Sequence, residues 1–177
     1  MKKILIFLFI TQWMFSYSQC VKREVIILKK VLSAYIGYTE SDRKIDKDNE
    51  ILISYWMKHP DYPIQIIGAS FFSPAFLKDV NYSEVFDYKG YKLVLVSDDI
   101  KDFEKSFGKY FKKREYENIN KSKNIDINWD TRNISVELNE RLEIISINPE
   151  TKDLMKNLID NKLVIAKDCS CLQYNQK

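Results

Sequence analysis

Two apolar runs, 51–57 and 64–72, flank the pentapeptide His59-Pro60-Asp61-Tyr62-Pro63, and this arrangement constrains the fold more than any other part of the chain. Proline has no amide hydrogen and a fixed φ, so two prolines in five residues exclude a helix here and favour a turn. The flanking runs therefore read as the strands of a hairpin. Neighbouring residues of a strand point to opposite faces, and the pairs Tyr55-Trp56 and Phe71-Phe72 place a bulky ring on each. Such a sheet needs helices over both faces, or else it presents an aromatic patch to solvent.

The surrounding pattern supplies helices and further strands. Apolar residues at 21, 25, 28, 32 and 35 follow helical spacing, and Gly37 lies near the expected end of that helix. Residues 39–50 are charged and read as a solvated loop. Tyr88-Lys89-Gly90 turns the chain into a strand over 91–97, after which Asp98 or Asp99 caps a helix with Ile100, Phe103, Phe107, Tyr110 and Phe111 on one face. Segments 125–129, 133–138 and 142–147 read as three more strands. Pro149 suits the start of a helix running to Ile159, and 163–166 reads as a last strand. The expected architecture is a single α+β domain: a mainly antiparallel sheet with an N-terminal helix and two further helices packed on it.

The first nineteen residues read as an address. Lys2 and Lys3 precede an apolar stretch from Ile4 to Ile10, and Ser16 to Gln19 form a polar, small-residue exit before Cys20. This is the layout of a secretory signal peptide over 1–19, with the domain proper over 20–177. The apolar character is diluted at Thr11 and Gln12, short of the roughly 20 residues a membrane span needs. Lipid attachment at Cys20 fits less well than simple cleavage, because Gln19 stands where a lipoprotein signal has a small residue. Gln19 also resembles the last leader residue of many Gram-negative envelope proteins. The expected destination is the periplasm or the exterior. Without Lys2 and Lys3 the charge balance is 26 basic against 25 acidic residues, which argues against nucleic acid as a partner.

An oxidising destination directs attention to Cys20, Cys169 and Cys171. A disulfide from Cys20 to Cys169 or Cys171 would staple the termini of the domain together. A structural zinc site is not expected, since His59 is the sole histidine and lies in another segment. The same scarcity leaves serine and cysteine without the base that nucleophilic catalysis requires. Gly68-Ala69-Ser70-Phe71-Phe72 begins like a nucleophile elbow but lacks its second glycine. Asp42, Asp46, Asp48 and Glu50 form an acidic cluster, yet a calcium loop starting at Asp46 would put Ile51 at its glycine position and Met57 at its glutamate position. The four glycines stand apart, so there is no phosphate loop, and no cofactor is expected.

Ten of the 24 aromatic residues fall between Tyr55 and Tyr91. Aromatic side chains give large contact area at small entropic cost, so Tyr55, Trp56, Tyr62, Phe72 and Tyr88 are candidates for a recognition surface. The leading expectation is a non-catalytic binding module for a protein, peptide or envelope component. A small envelope hydrolase using paired carboxylates from Asp98, Asp99, Asp130 or Glu137 is the alternative, and a structural envelope component is a third.

Overall fold

A computed structural model describes residues 2–58, 64–74, 77, 82, 84–97, 103–115, 132–167 and 169, with side chains from residue 20 onward. It consists of helix α1 (Lys2–Glu40), strands β1 (Ile51–Lys58), β2 (Gln65–Phe72), β3 (Phe86–Tyr88) and β4 (Tyr91–Ser97), helix α2 (Phe103–Gly108), strands β5 (Lys112–Lys113), β6 (Ile134–Leu138) and β7 (Ile144–Asn148), and helix α3 (Lys152–Asp160). The strands form one sheet in the order β5-β3-β4-β1-β2-β6-β7. All its pairings are antiparallel except β1 with β4. This is the α+β architecture expected from the sequence.

The hairpin expected around the two prolines is present, with β1 and β2 paired from Ile51↔Phe72 to Lys58↔Gln65. A second hairpin joins β3 to β4 through Lys89-Gly90, both at positive φ, the two-residue turn that matches the twist of its strands. Alternation then sorts the side chains. Leu52 and Trp56, Ile67, Ala69 and Phe71, Leu93 and Leu95, and Val136 and Leu138 join the main core. All three helices contribute to that core, through Val25, Leu28, Leu32 and Tyr35 of α1, Phe103 and Phe107 of α2, and Leu154 and Leu158 of α3. Burying a side chain such as Leu28 or Leu32 stabilises the fold by about 1.5–3 kcal/mol.

For the opposite face the sequence left two outcomes, a covering of helices or an exposed aromatic patch, and the described residues show apolar packing there. Ile51, Ile53 and Val94 form a second, smaller cluster with Leu77 and Val85, which come from the connection between β2 and β3. Among the described residues, α1, α2 and α3 pack on one face, and Leu77 and Val85 of the β2–β3 connection cover part of the other.

Three element ends differ from the sequence reading. Helix α1 continues through Gly37 to Glu40. A side chain at Gly37 would meet Asn157 Oδ1 at 2.5 Å, so the glycine serves the packing of α3 against α1 and does not end the helix. Helix α2 stops at Gly108, and Phe111 enters the core from the turn before β5. Helix α3 is capped by Thr151, whose hydroxyl accepts from the Leu154 amide at 3.2 Å, so Pro149 precedes the cap. The last expected strand reduces to one parallel bridge, Ile144 to Ile165. Asp98, Asp99 and the strand expected over 125–129 lie outside the described residues.

Candidate functional site

The aromatic residues singled out in the sequence separate into different environments. Trp56 is 1% exposed, with its ring 5.7 Å from that of Phe107. Tyr88 is 8% exposed, and its hydroxyl bonds to Ser33 and to the Lys29 carbonyl, tying β3 to α1. Burial holds the Tyr88 phenol above its usual pKa. Tyr55 and Phe72 are half-buried on the other face, where Phe72 packs on the smaller cluster. Tyr62 lies outside the described residues. The signal distinguishing Trp56 was its period-two spacing with Leu52 on the helix-covered face.

The proposed terminal staple is not formed. Cys20 is an exposed free thiol, 3.9 Å from a carboxylate oxygen of Glu24. Helix α1 directs it outward one residue before the buried Val21, while Cys169 is 2% exposed and belongs to the main core. Cys171 lies outside the described residues.

Several polar groups in the core have structural explanations. The Tyr35 hydroxyl accepts the Phe71 amide at 2.9 Å, and burial pushes its pKa up to about 12. Tyr91 donates to Glu40, and burial followed by that carboxylate raises its pKa as well. Arg43 grips Glu50 through two hydrogen bonds of 2.7 and 3.2 Å, closing the loop after α1. Glu24, itself buried, pairs with Lys58 at 3.3 Å. Among the described residues no group of three or more histidine, cysteine, aspartate or glutamate side chains could hold a metal ion. Of the hydrolase candidates, Glu137 is half-buried on β6, while Asp98, Asp99 and Asp130 lie outside the described residues.

Among the described residues, a concave surface lies where the N-terminal part of the packed α1 meets the β6–β7 turn and residues 163–166. One groove of about 570 Å³ is lined by Arg23, Ile26, Ile27, Leu142, Glu143 and Val164, among others. A second, of about 630 Å³, shares Glu143 and Val164 and continues along Ile165 and Ala166. Ile26 and Val164 are large apolar residues left 47% and 56% exposed. The backbone beside them forms an edge. The Ile144 amide donates to the Val164 carbonyl and the Ala166 amide to the Ile144 carbonyl, each at 2.8 Å, which directs the Ile165 amide and carbonyl away from β7. Nothing in the sequence pattern marked this groove, because Ile26 and Val164 sit within apolar runs that also supply the core.

Among the described residues no helix is long and apolar enough to cross a membrane. Comparison with protein-family models, curated proteins and solved structures finds no match.

Proposed function

We propose that this chain is an exported, non-catalytic binding module that holds an extended peptide segment of a partner protein in the groove beside residues 163–166. The observation carrying this reading is the pairing of exposed Ile26 and Val164 in one groove with an outward-directed backbone edge at Ile165. An added strand draws affinity from main-chain hydrogen bonds and specificity from pockets for alternate side chains. Arg23, Arg141, Glu140 and Glu143 give the rim both signs of charge, which suits a mixed-charge peptide better than a polyanion. The buried Trp56 and Tyr88 offer no area to a partner, which moves the proposed surface away from the aromatic-rich region.

A random-peptide display library selected against the domain tests this reading. Binding peptides should lose affinity in Ile26→Asp and Val164→Asp and keep it in Tyr55→Ala and Phe72→Ala. Peptides that depend on Tyr55 and Phe72 while tolerating both aspartates would return the site to the aromatic region. Selection yielding no peptide sensitive to either pair would reject a peptide-binding role.

A further inference from the structure

The flank of α3 beside the sheet edge carries exposed apolar surface. Asn157 faces α1, since its Oδ1 stands 2.5 Å from where a Gly37 side chain would begin. Leu154 and Leu158 face the core. Ile159 follows Asn157 by two residues, about 200° around the helix, and so points away from α1. It is 54% exposed, and the half-buried Met155 lies one turn before it. The chain leaves α3 through Lys162 directly into residues 163–166, and the Leu163 amide donates to the Leu158 carbonyl at 3.2 Å, so this flank stands beside the open edge at Ile165. Among the described residues the exposed large apolar side chains are Ile26, Ile159 and Val164, and the last two lie on either side of that junction.

The edge is complementary to itself. A residue presenting both its amide and its carbonyl is one half of a hydrogen-bonded antiparallel pair, in which two such residues exchange both bonds. Two copies of Ile165 related by a two-fold axis would satisfy all four groups. That register sets Val164 of each chain opposite Ala166 of the other, a large exposed side chain against a small one. The same axis lays α3 antiparallel to its copy on the helix-covered face, with the two Ile159 side chains towards each other. Charge agrees with this arrangement. Lys152 and Lys156 occupy the first part of α3 and Asp160 its end, all exposed and none in an ion pair among the described residues. Antiparallel helices bring the basic part of each against the acidic end of the other, the self-complementarity that a two-fold contact requires. Pairing also covers an open edge, which otherwise invites uncontrolled strand addition.

We propose that a second copy of this chain occupies the edge when no peptide does, the two 163–166 segments pairing antiparallel about a two-fold axis at Ile165 with α3 against α3. The inference rests on the reading of that edge as a strand acceptor and adds its regulation, because self-association and peptide binding exclude each other.

Sedimentation equilibrium of the protein from about 1 μM to about 1 mM tests this, with reductant present so that the exposed Cys20 cannot link two chains. A monomer–dimer equilibrium should appear. Ile159→Asp and Val164→Asp should each weaken it about tenfold or more, while Tyr55→Ala should leave it unchanged. Ile159 does not line the groove, so Ile159→Asp should still bind a selected peptide, and excess peptide should convert the wild-type dimer to monomeric complexes. A monomer at every concentration, a dimer unmoved by both aspartates, or a dimer that peptide leaves intact would overturn the proposal. A monomer that still binds groove-directed peptides removes self-association alone and leaves the peptide reading standing. A dimer lost in both aspartate variants when no peptide can be selected supports the second copy as occupant and removes the peptide reading instead. Native-like amide spectra of the aspartate variants separate lost association from lost folding.

Discussion

The ring of Tyr55 lies where a side chain on Gly68 would project. The two residues are register partners on β1 and β2, and a Cβ at Gly68 would fall 1.8 Å from Tyr55 Cζ. Glycine weakens a strand interior, and an aromatic laid across it from the neighbouring strand restores the lost packing. Gly68 is thus explained by the bulk of Tyr55. This also places one of the two adjacent rings, Tyr55 and Trp56, flat on the sheet face opposite the helices.

Replacing Gly68 with alanine should displace the Tyr55 ring and destabilise the domain by about 1–3 kcal/mol. Urea unfolding measures this. In a double-mutant cycle with Tyr55→Ala, much of the Gly68→Ala penalty should disappear, since the obstructing ring is gone. Strictly additive losses would mean that the two residues do not compete for the same space.

Trp56 provides a contrasting case, because its ring fills the core beside Phe107. Trp56→Ala should cost about 3–5 kcal/mol, the range for deleting a buried aromatic. A change within about 0.5 kcal/mol, typical of surface positions, would contradict the buried placement.

Tyr35 should govern part of the alkaline stability. Its pKa rises from 10.0 to about 12 because burial disfavours the phenolate. The folded state then holds the proton more tightly than the unfolded state. Its contribution is complete below pH 10 and is lost as pH rises through about 12. Tyr35→Phe should flatten this decline in pH-dependent unfolding. At neutral pH it should also cost about 1–3 kcal/mol, because the Phe71 amide loses its acceptor.

Cys20 should react with a water-soluble maleimide in the folded protein, since its thiol is free and exposed. Cys20→Ser should change stability by no more than about 0.5 kcal/mol. Protection of Cys20 until reductant is added, with a large loss in the serine variant, would restore the terminal staple.

The fold was more legible in the sequence than the site. Strand spacing around 51–57 and 64–72, the Lys89-Gly90 turn and the helical period after Val21 all depend on local chemistry, and each corresponds to an observed element. What required the third dimension was the use of each face. Phe71 and Phe72 fixed the need to accommodate a ring on both sides, but not that Leu77 and Val85 of the β2–β3 connection would pack on the second. Gly37 looked like a terminator because its role depends on Asn157, 120 positions away in the sequence. The groove was hidden for the same reason. Ile26 and Val164 acquire their meaning from an encounter between α1 and the last bridge of the sheet.

The binding account is tested most directly by methyl NMR of the domain labelled at isoleucine, leucine, valine and methionine, titrated with a peptide selected against it. The account predicts that shifts concentrate at Ile26, Leu142, Val164 and Ile165 while Met57, Ile66 and Val96 stay in place. Shifts concentrated at Met57, Ile66 and Val96, on the sheet face shared by Tyr55, with the groove methyls unmoved, would contradict it.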